Sequence, residues 1–349
     1  MNDHLAALRV GNVVRRREAR KHPINRRSSA RVGNPNVAAA SHRAKPIASA
    51  LWRLTLRLTV SLCAVVAYLL PLRWIRHIAS TCGWLACVPP SRRRRMAREN
   101  LAATFGETLS LADNRRIRIR VAQNMGKTFM ELLKAPRLGA DGVRQAVSVE
   151  GIDRIREALA RGKGVIILTA HFGNWEMLGA RLAADGFDTA AITRQASDPT
   201  VASLIDRCRS DLGIRVLARD SVREMLRHLR NGGCLFILPD LDAKKGAIRL
   251  SFLGRPAWVP RGPALPAMRS KAPIIPAFCV RESDDSLHMR VLDEIPVAVN
   301  ENRDAAVRET MQRINRVLEA AILERPDQWL WFHNRWKTHR KGGPPREEP

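Results

Sequence analysis

The chain is short of acid: 33 Asp and Glu stand against 60 Lys and Arg in 349 residues, a formal excess of +27. That balance calls for an anionic partner, and either nucleic acid or an anionic membrane surface would fit. No recognised nucleic-acid-binding motif accompanies the charge, however. Cysteines number six (Cys63, Cys82, Cys87, Cys208, Cys234 and Cys279), with no CxxC pair and no Cys/His cluster of zinc-finger spacing. Six could pair, but the pattern argues against a disulfide framework and a structural metal, and reduced cytosolic thiols are expected. No internal repeat occurs. Long apolar runs are scarce too, and the single candidate membrane segment excludes a polytopic transporter.

What is present suffices for a sizeable core, since 45% of residues are hydrophobic, and the length suits one large domain or two ordinary ones. Charge is unevenly spread: residues 1–150 carry 20 of the 27 net positive charges. Residues 1–46, rich in Arg, Ala, Asn and Ser with almost no hydrophobic periodicity, read as a disordered basic tail, a composition that an organellar transit peptide shares.

From Leu58 to Leu72 runs an uncharged, mostly apolar stretch, LTVSLCAVVAYLLPL, between Arg57 and Arg73. As a helix it reaches about 22 Å, short of a full span, although flanking arginines can snorkel. A second patch with Trp74 and Trp84 follows, then Arg92 to Arg95. Basic flanks on both sides favour a re-entrant or interfacial anchor over one clean span, with a buried core helix as the alternative. Residues 94–135 have helical periodicity, with apolar Leu101, Phe105, Ile117, Val121, Met125 and Phe129 opposite a basic face.

Beyond residue 150 short apolar runs alternate with helical stretches. Strands are predicted at Val165–Thr169, Thr189–Ile192, Cys234–Leu238, Ile274–Val280 and Leu287–Val291. Helices are predicted near 151–161, 175–185, 199–212, 220–231, 262–270 and 303–324. The alternation predicts an α/β domain, a central mixed sheet flanked by helices.

The most informative segment is GKGVIILTAHFGNWEMLGARLA, Gly162 to Ala183. A buried strand ends at Thr169-Ala170 and a helix begins near Asn174, a good N-cap. His171 and Glu176 are five residues apart, so inside a regular helix they would point some 140° away from each other. They meet only if His171 precedes the helix on a turn, which Gly173 permits. A carboxylate on one imidazole nitrogen fixes the tautomer and raises the basicity of the other, as a general base requires. The same spacing also suits a structural His–Glu pair at a strand end.

His171-Phe172-Gly173-Asn174-Trp175-Glu176 resembles the H-x4-D/E motif of glycerolipid acyltransferases, in particular the branch with the bacterial lipid A late (secondary) acyltransferases of lauroyl and myristoyl type. The likeness runs from about residue 50 to 340. Arg194 with Asp198-Pro199, Arg209 ahead of Gly213, Pro239-Asp240-Leu241-Asp242, Phe252-Leu253-Gly254 and the closing QWLWFHNRWKTHR (328–340) follow in the family's order. Leu241, Ser251 and Arg261 depart from its usual pattern, and none of them lies in the dyad.

The resemblance implies a glycerolipid acyltransferase-like fold behind a membrane-anchoring helical region: tail 1–46, anchor or interfacial helices 47–92, acyltransferase domain 93–340 and flexible tail 341–349. It implies transfer of a fatty acyl chain from acyl carrier protein to a hydroxyl of an anionic lipid A precursor, at the cytoplasmic face of a bacterial inner membrane. His171 and Glu176 would be catalytic, with Glu176 orienting the imidazole; Arg194, Arg209, Asp240 and Asp242 would bind substrate. No cofactor, metal or nucleic acid is called for. With no G-x-S-x-G elbow in the chain, direct transfer is favoured over an acyl-enzyme. Another lipid acceptor, such as a lysophospholipid, an ornithine-type lipid or a glycolipid, is the near alternative; a basic nucleic-acid-binding protein is the distant one. For the closing segment, where Trp329, Trp331 and Trp336 interleave with His333, Arg335 and Lys337, three roles stay open: headgroup contact, stacking on single-stranded nucleic acid, or packing onto the core.

Overall fold

The computed structural model describes residues 54–193, 198–244 and 246–340. Both tails and Arg194 lie outside the described residues. The chain divides into two compact units at Ser61/Leu62, and the second of them holds the sheet and the helices that flank it.

Residues 62–69 are helical, and Pro71, which cannot continue a helix, separates them from α1 (Leu72–Ala86). The apolar stretch is therefore broken. No helix among the described residues is long and apolar enough to cross a membrane. Next come α2 (Arg92–Phe105) and α3 (Leu111–Ala146). The helical stretch predicted from 94 to 135 is thus two helices: Gly106 takes φ +60°, and Ser110 starts α3 by accepting from Asp113 N. Helix α1 lies along α3, with Ile75, Ala79 and Met130 buried in one cluster that Ala67 of the preceding helical segment joins. The backbones approach closely because Gly83 faces Ala122 and Gly126 faces Ala79; a Cβ at either glycine would fall under 3 Å from the opposing carbonyl oxygen. So the segment 72–86 packs in the same body as the α/β domain.

The α/β part runs β1 (Val147–Glu150), α4 (Asp153–Ala160), β2 (Val165–Leu168), α5 (Trp175–Ala184), β3 (Thr189–Thr193), α6 (Pro199–Asp211), β4 (Arg215–Ala218), α7 (Val222–Arg230) and β5 (Cys234–Ile237). A hairpin, β6 (Ile248–Phe252) and β7 (Arg255–Val259), then precedes α8 (Ala264–Ser270), β8 (Ile274–Arg281), β9 (Leu287–Val291) and α9 (Arg303–Glu324). Seven strands form one sheet in the order β1-β9-β8-β2-β5-β3-β4, with every neighbouring pair parallel except β8–β9. The sheet is mixed and flanked by helices, as expected.

Central strands β2, β5 and β8 are buried along their whole length because helices cover both faces, which is why they read as continuous apolar runs. Ile166 and Leu168 belong to one core with Met311, Ile314 and the closing tryptophans; Val165 and Ile167 belong to the other, with Met177, Leu178 and Leu182 of α5.

Candidate active site

Strands β2 and β5 are parallel neighbours in the register Leu168↔Ile237. Three residues beyond those partners, at the carboxyl ends where ligands of open α/β sheets bind, stand His171 and Asp240. The imidazole Nδ1 lies 2.9 Å from Asp240 Oδ1, and the His171 backbone N–H donates to Asp240 Oδ2 at 3.0 Å. Asp240 is fully buried, while the His171 side chain keeps 24% of its surface. A buried carboxylate accepting from Nδ1 sets the tautomer, so in the neutral ring Nε2 carries the lone pair.

Gly173 shapes the turn. Its φ is +59°, and a Cβ there would meet Cys279 O at 2.1 Å. Its N–H donates to Gln328 O and that of Asn174 to Cys279 O. Asn174 caps α5, accepting from Met177 N through its side chain, as its position predicts.

The partner of His171 differs from the sequence expectation. Glu176, on the first turn of α5, makes no hydrogen bond to the imidazole. Its carboxylate accepts from Arg209 Nη2 at 2.6 Å and Nε at 3.0 Å, a two-pronged pair, and from the Trp175 indole at 2.9 Å. The α-helical advance between residues 175 and 176 turns Glu176 toward α6, which carries Arg209, whereas the β2–β5 register delivers Asp240 straight to the imidazole. Asp240, expected to contact substrate, is instead sealed beneath His171. Asp242 is also engaged within the protein: its carboxylate accepts from Thr338 Oγ1 at 2.6 Å, and its N–H donates to His333 Nε2 at 3.3 Å.

Charges follow this geometry. Burial disfavours the imidazolium of His171, but the charge and hydrogen bond of Asp240, with the charge of Glu176 behind them, outweigh it and hold the pKa above the ordinary histidine value. Burial likewise opposes the Asp240 carboxylate, and the His171 and Trp329 donors overcome it, so its pKa lies below the usual range. Burial lowers His333, a few residues along the closing segment.

Sequence reasoning missed Trp329 as a site residue. Its indole donates to Asp240 Oδ2 at 2.9 Å, and it pairs in an antiparallel bridge with Phe172. Trp329, Trp331 and Trp336 are all buried in the α/β core, so of the three roles left open packing is the one realised, and neither lipid nor bases reach them. The aromatic-rich composition was a signal for burial; its contact with Asp240 lay beyond any local pattern.

The model of the family described as "Bacterial lipid A biosynthesis acyltransferase" matches residues 47–338. The chain is 25% identical over 279 residues to the lipid A biosynthesis lauroyltransferase of Escherichia coli (strain K12), covering 79% of this chain and 90% of that one. It is 25% identical over 255 residues to the palmitoleoyltransferase of the same organism, covering 72% and 81%. To the phosphatidylinositol mannoside acyltransferase of Mycolicibacterium smegmatis it is 22% identical over 244 residues, covering 68% and 78%. With the match spanning both the helical N-terminal region and the whole sheet, the chain belongs to the bacterial lipid A biosynthesis acyltransferase family and is an acyl-transferring enzyme.

Proposed function

We propose that the protein transfers a fatty acyl chain from acyl carrier protein to a hydroxyl of a lipid A precursor, with His171 as general base, at the cytoplasmic face of a bacterial inner membrane. The observation that carries this reading is the imidazole at the strand end, held through Nδ1 by a buried carboxylate while the side chain keeps part of its surface. As the acceptor oxygen bonds to the thioester carbonyl carbon, its proton passes to Nε2. The C–S bond then breaks, and the departing thiolate takes the proton back. Asp240 steadies the imidazolium between the two steps. Arg209, tied to Glu176, holds a positive charge beside the turn that offsets charge developing on the carbonyl oxygen. Arg194 and Asp242 remain candidates for holding the substrate.

The test is purified enzyme with a labelled acyl-carrier-protein donor, offered a lipid A precursor, a lysophospholipid and a mannosylated phosphoinositide side by side. Transfer to the lipid A precursor that disappears in His171→Ala is expected. The mannoside arm is included because a mycobacterial phosphatidylinositol mannoside acyltransferase is among the relatives. Labelling of one of the other lipids alone would keep the chemistry and reject this acceptor.

Membrane attachment in this reading is interfacial. Leu62, Val65 and Leu69 are exposed, as are Trp74, Ile78, Trp84, Leu85 and Val88 on and just after α1. Beside them Arg92, Arg93, Arg95 and Arg98 of α2 and Arg115 and Arg116 of α3 also face outward. Arg118 shows how crowded the cations are: burial first, then the charges of Arg94, Arg98 and Arg115, lower its pKa. Arg95 and Arg116 each pair with an acid of their own helix, Glu99 and Asp113, but the cluster keeps a net positive charge, and apolar side chains beside it suit an anionic headgroup layer. Replacing Trp84 and Leu85 together by Asp is expected to weaken binding to anionic vesicles by about tenfold or more, since each loses the insertion of a large apolar side chain. Vesicle flotation of the folded variant measures this, and wild-type-like flotation rejects the assignment. Deleting the helix would be a poorer test, because its inner face is part of the α3 packing.

A further inference from the structure

The closing segment does more than fill the core. Its backbone runs against the catalytic turn: Leu330 N donates to His171 O at 3.1 Å, Gly173 N donates to Gln328 O at 3.0 Å, and Phe172 bridges Trp329. Both sides of His171 are thereby fixed by residues more than 150 positions later in the chain. The Trp329 side chain reaches the other half of the pair. Asp240 accepts three hydrogen bonds, two of them from His171 itself and the third from the Trp329 indole.

On the reading that His171 is the base, we propose that Trp329 is a positioning residue for the reaction, fixing the Asp240 carboxylate through its indole N–H so that Oδ1 stays aimed at His171 Nδ1.

The two His171 donors move with the residue they are meant to orient, so they cannot by themselves fix the carboxylate in space. The indole is the donor that comes from elsewhere. It is itself immobile, with its ring centroid 4.7 Å from Trp331, 5.7 Å from Phe252 and 6.4 Å from Trp336, in edge-on or tilted contacts. A buried carboxylate oxygen deprived of a donor seeks another, and rotation about the Asp240 side chain to find one would break the bond to Nδ1. That bond helps to hold the His171 pKa up, so its loss leaves burial the stronger influence and makes the neutral base available at lower pH.

The experiment replaces the indole N–H without emptying its place: β-(3-benzothienyl)alanine at position 329, which keeps the bicyclic shape and carries sulfur where the N–H was, alongside Trp329→Phe. The control is Trp331→Phe. That indole is equally buried and donates to Pro326 O at 2.7 Å, away from Asp240. Acyl transfer from labelled acyl-carrier-protein donor to a lipid A precursor is followed across pH, with His171→Ala in parallel. At position 329 we expect kcat to fall about tenfold, the worth of one hydrogen bond to a charged group, with KM for the donor unchanged and the acid limb of the profile moved to lower pH. Trp331→Phe should lower the melting temperature and leave the limb in place. In an Asp240→Asn background the change at 329 should add nothing further. Transfer that needs His171 but keeps its acid limb when the benzothienyl ring is in place overturns the role of Trp329 alone, as do equal kcat losses for positions 329 and 331. Transfer that survives His171→Ala overturns the base assignment, and the Trp329 role with it.

Discussion

His171→Asn is expected to reduce acyl transfer by about 10²–10⁴-fold, the usual contribution of a positioned base, while leaving the melting temperature close to wild type. Asparagine is the informative substitution because its side-chain N–H₂ can stand where Nδ1 stood and still donate to Asp240 Oδ1, so the buried carboxylate keeps its partner and only the base is lost. Alanine removes both, and adds the penalty of an under-satisfied buried carboxylate, about 1–3 kcal/mol. The pH profile gives a second reading of the same pair. Only neutral His171 accepts a proton, and its pKa is raised by Asp240 and Glu176 against the effect of burial. Transfer should therefore increase with pH through an apparent pKa above the ordinary histidine value. In Asp240→Asn the raising charge is gone and burial prevails, so the limb should move to lower pH while the rate falls. Glu176→Gln should move the limb less than Asp240→Asn, because Glu176 acts on His171 through charge alone and spends its hydrogen bonds on Arg209. A larger shift from Glu176→Gln than from Asp240→Asn would restore Glu176 as the orienting carboxylate.

That reassignment marks the boundary of what the sequence discloses. The turn was legible: a buried strand running into Thr169-Ala170, Gly173 for the left-handed conformation and Asn174 as a cap are local features with local causes. Strands β2, β5 and β8 were legible because burial on both faces makes them uninterrupted apolar runs, and β3 and β9 because short apolar or alternating segments stand between helical stretches. Strands β1, β4, β6 and β7 were not. Each has four or five residues with exposed positions or charges, as in Arg215–Ala218, and takes its strand character from a neighbour that the sequence does not name. Strand order is of the same kind. Nothing near His171 reveals that β5 will lie beside β2, and so nothing reveals that Asp240, 69 residues on, arrives in register with it. Trp329 is further still, and its indole is seen as a donor only once the closing segment is laid against the turn.

The largest effect on stability is expected at Glu131, a residue that no motif singles out. It sits on α3, almost wholly buried, and each of its oxygens has two donors: Arg76 Nε at 2.6 Å and Arg281 Nη1 at 3.0 Å on Oε1, Arg281 Nη2 at 2.5 Å and Asn174 Nδ2 at 2.6 Å on Oε2. One carboxylate thus neutralises two guanidinium groups from different elements, α1 and β8, and also steadies the residue that caps α5. Burial works against the charged Arg281, and Glu131 more than compensates, raising its pKa. Removing the carboxylate leaves two cations facing each other in a site with little water, a change that typically destabilises by about 3–5 kcal/mol. At roughly 2 °C per kcal/mol for a chain of this size, Glu131→Ala should melt some 6–10 °C below wild type. Added salt should recover little of that difference, since screening is weak in the interior. Arg76→Ala should be milder, because its side chain is at the edge of the network and Arg281 still satisfies Glu131 on both oxygens. The activity of Glu131→Ala, assayed below its melting transition, should also fall, since the freed Asn174 amide no longer holds the catalytic turn to α3. Thermal denaturation of the two variants in detergent decides the matter: if Glu131→Ala melts within about 2 °C of wild type, the network contributes no more than an ordinary surface pair, and the turn is held by its bonds to β8 and the closing segment without help from Glu131.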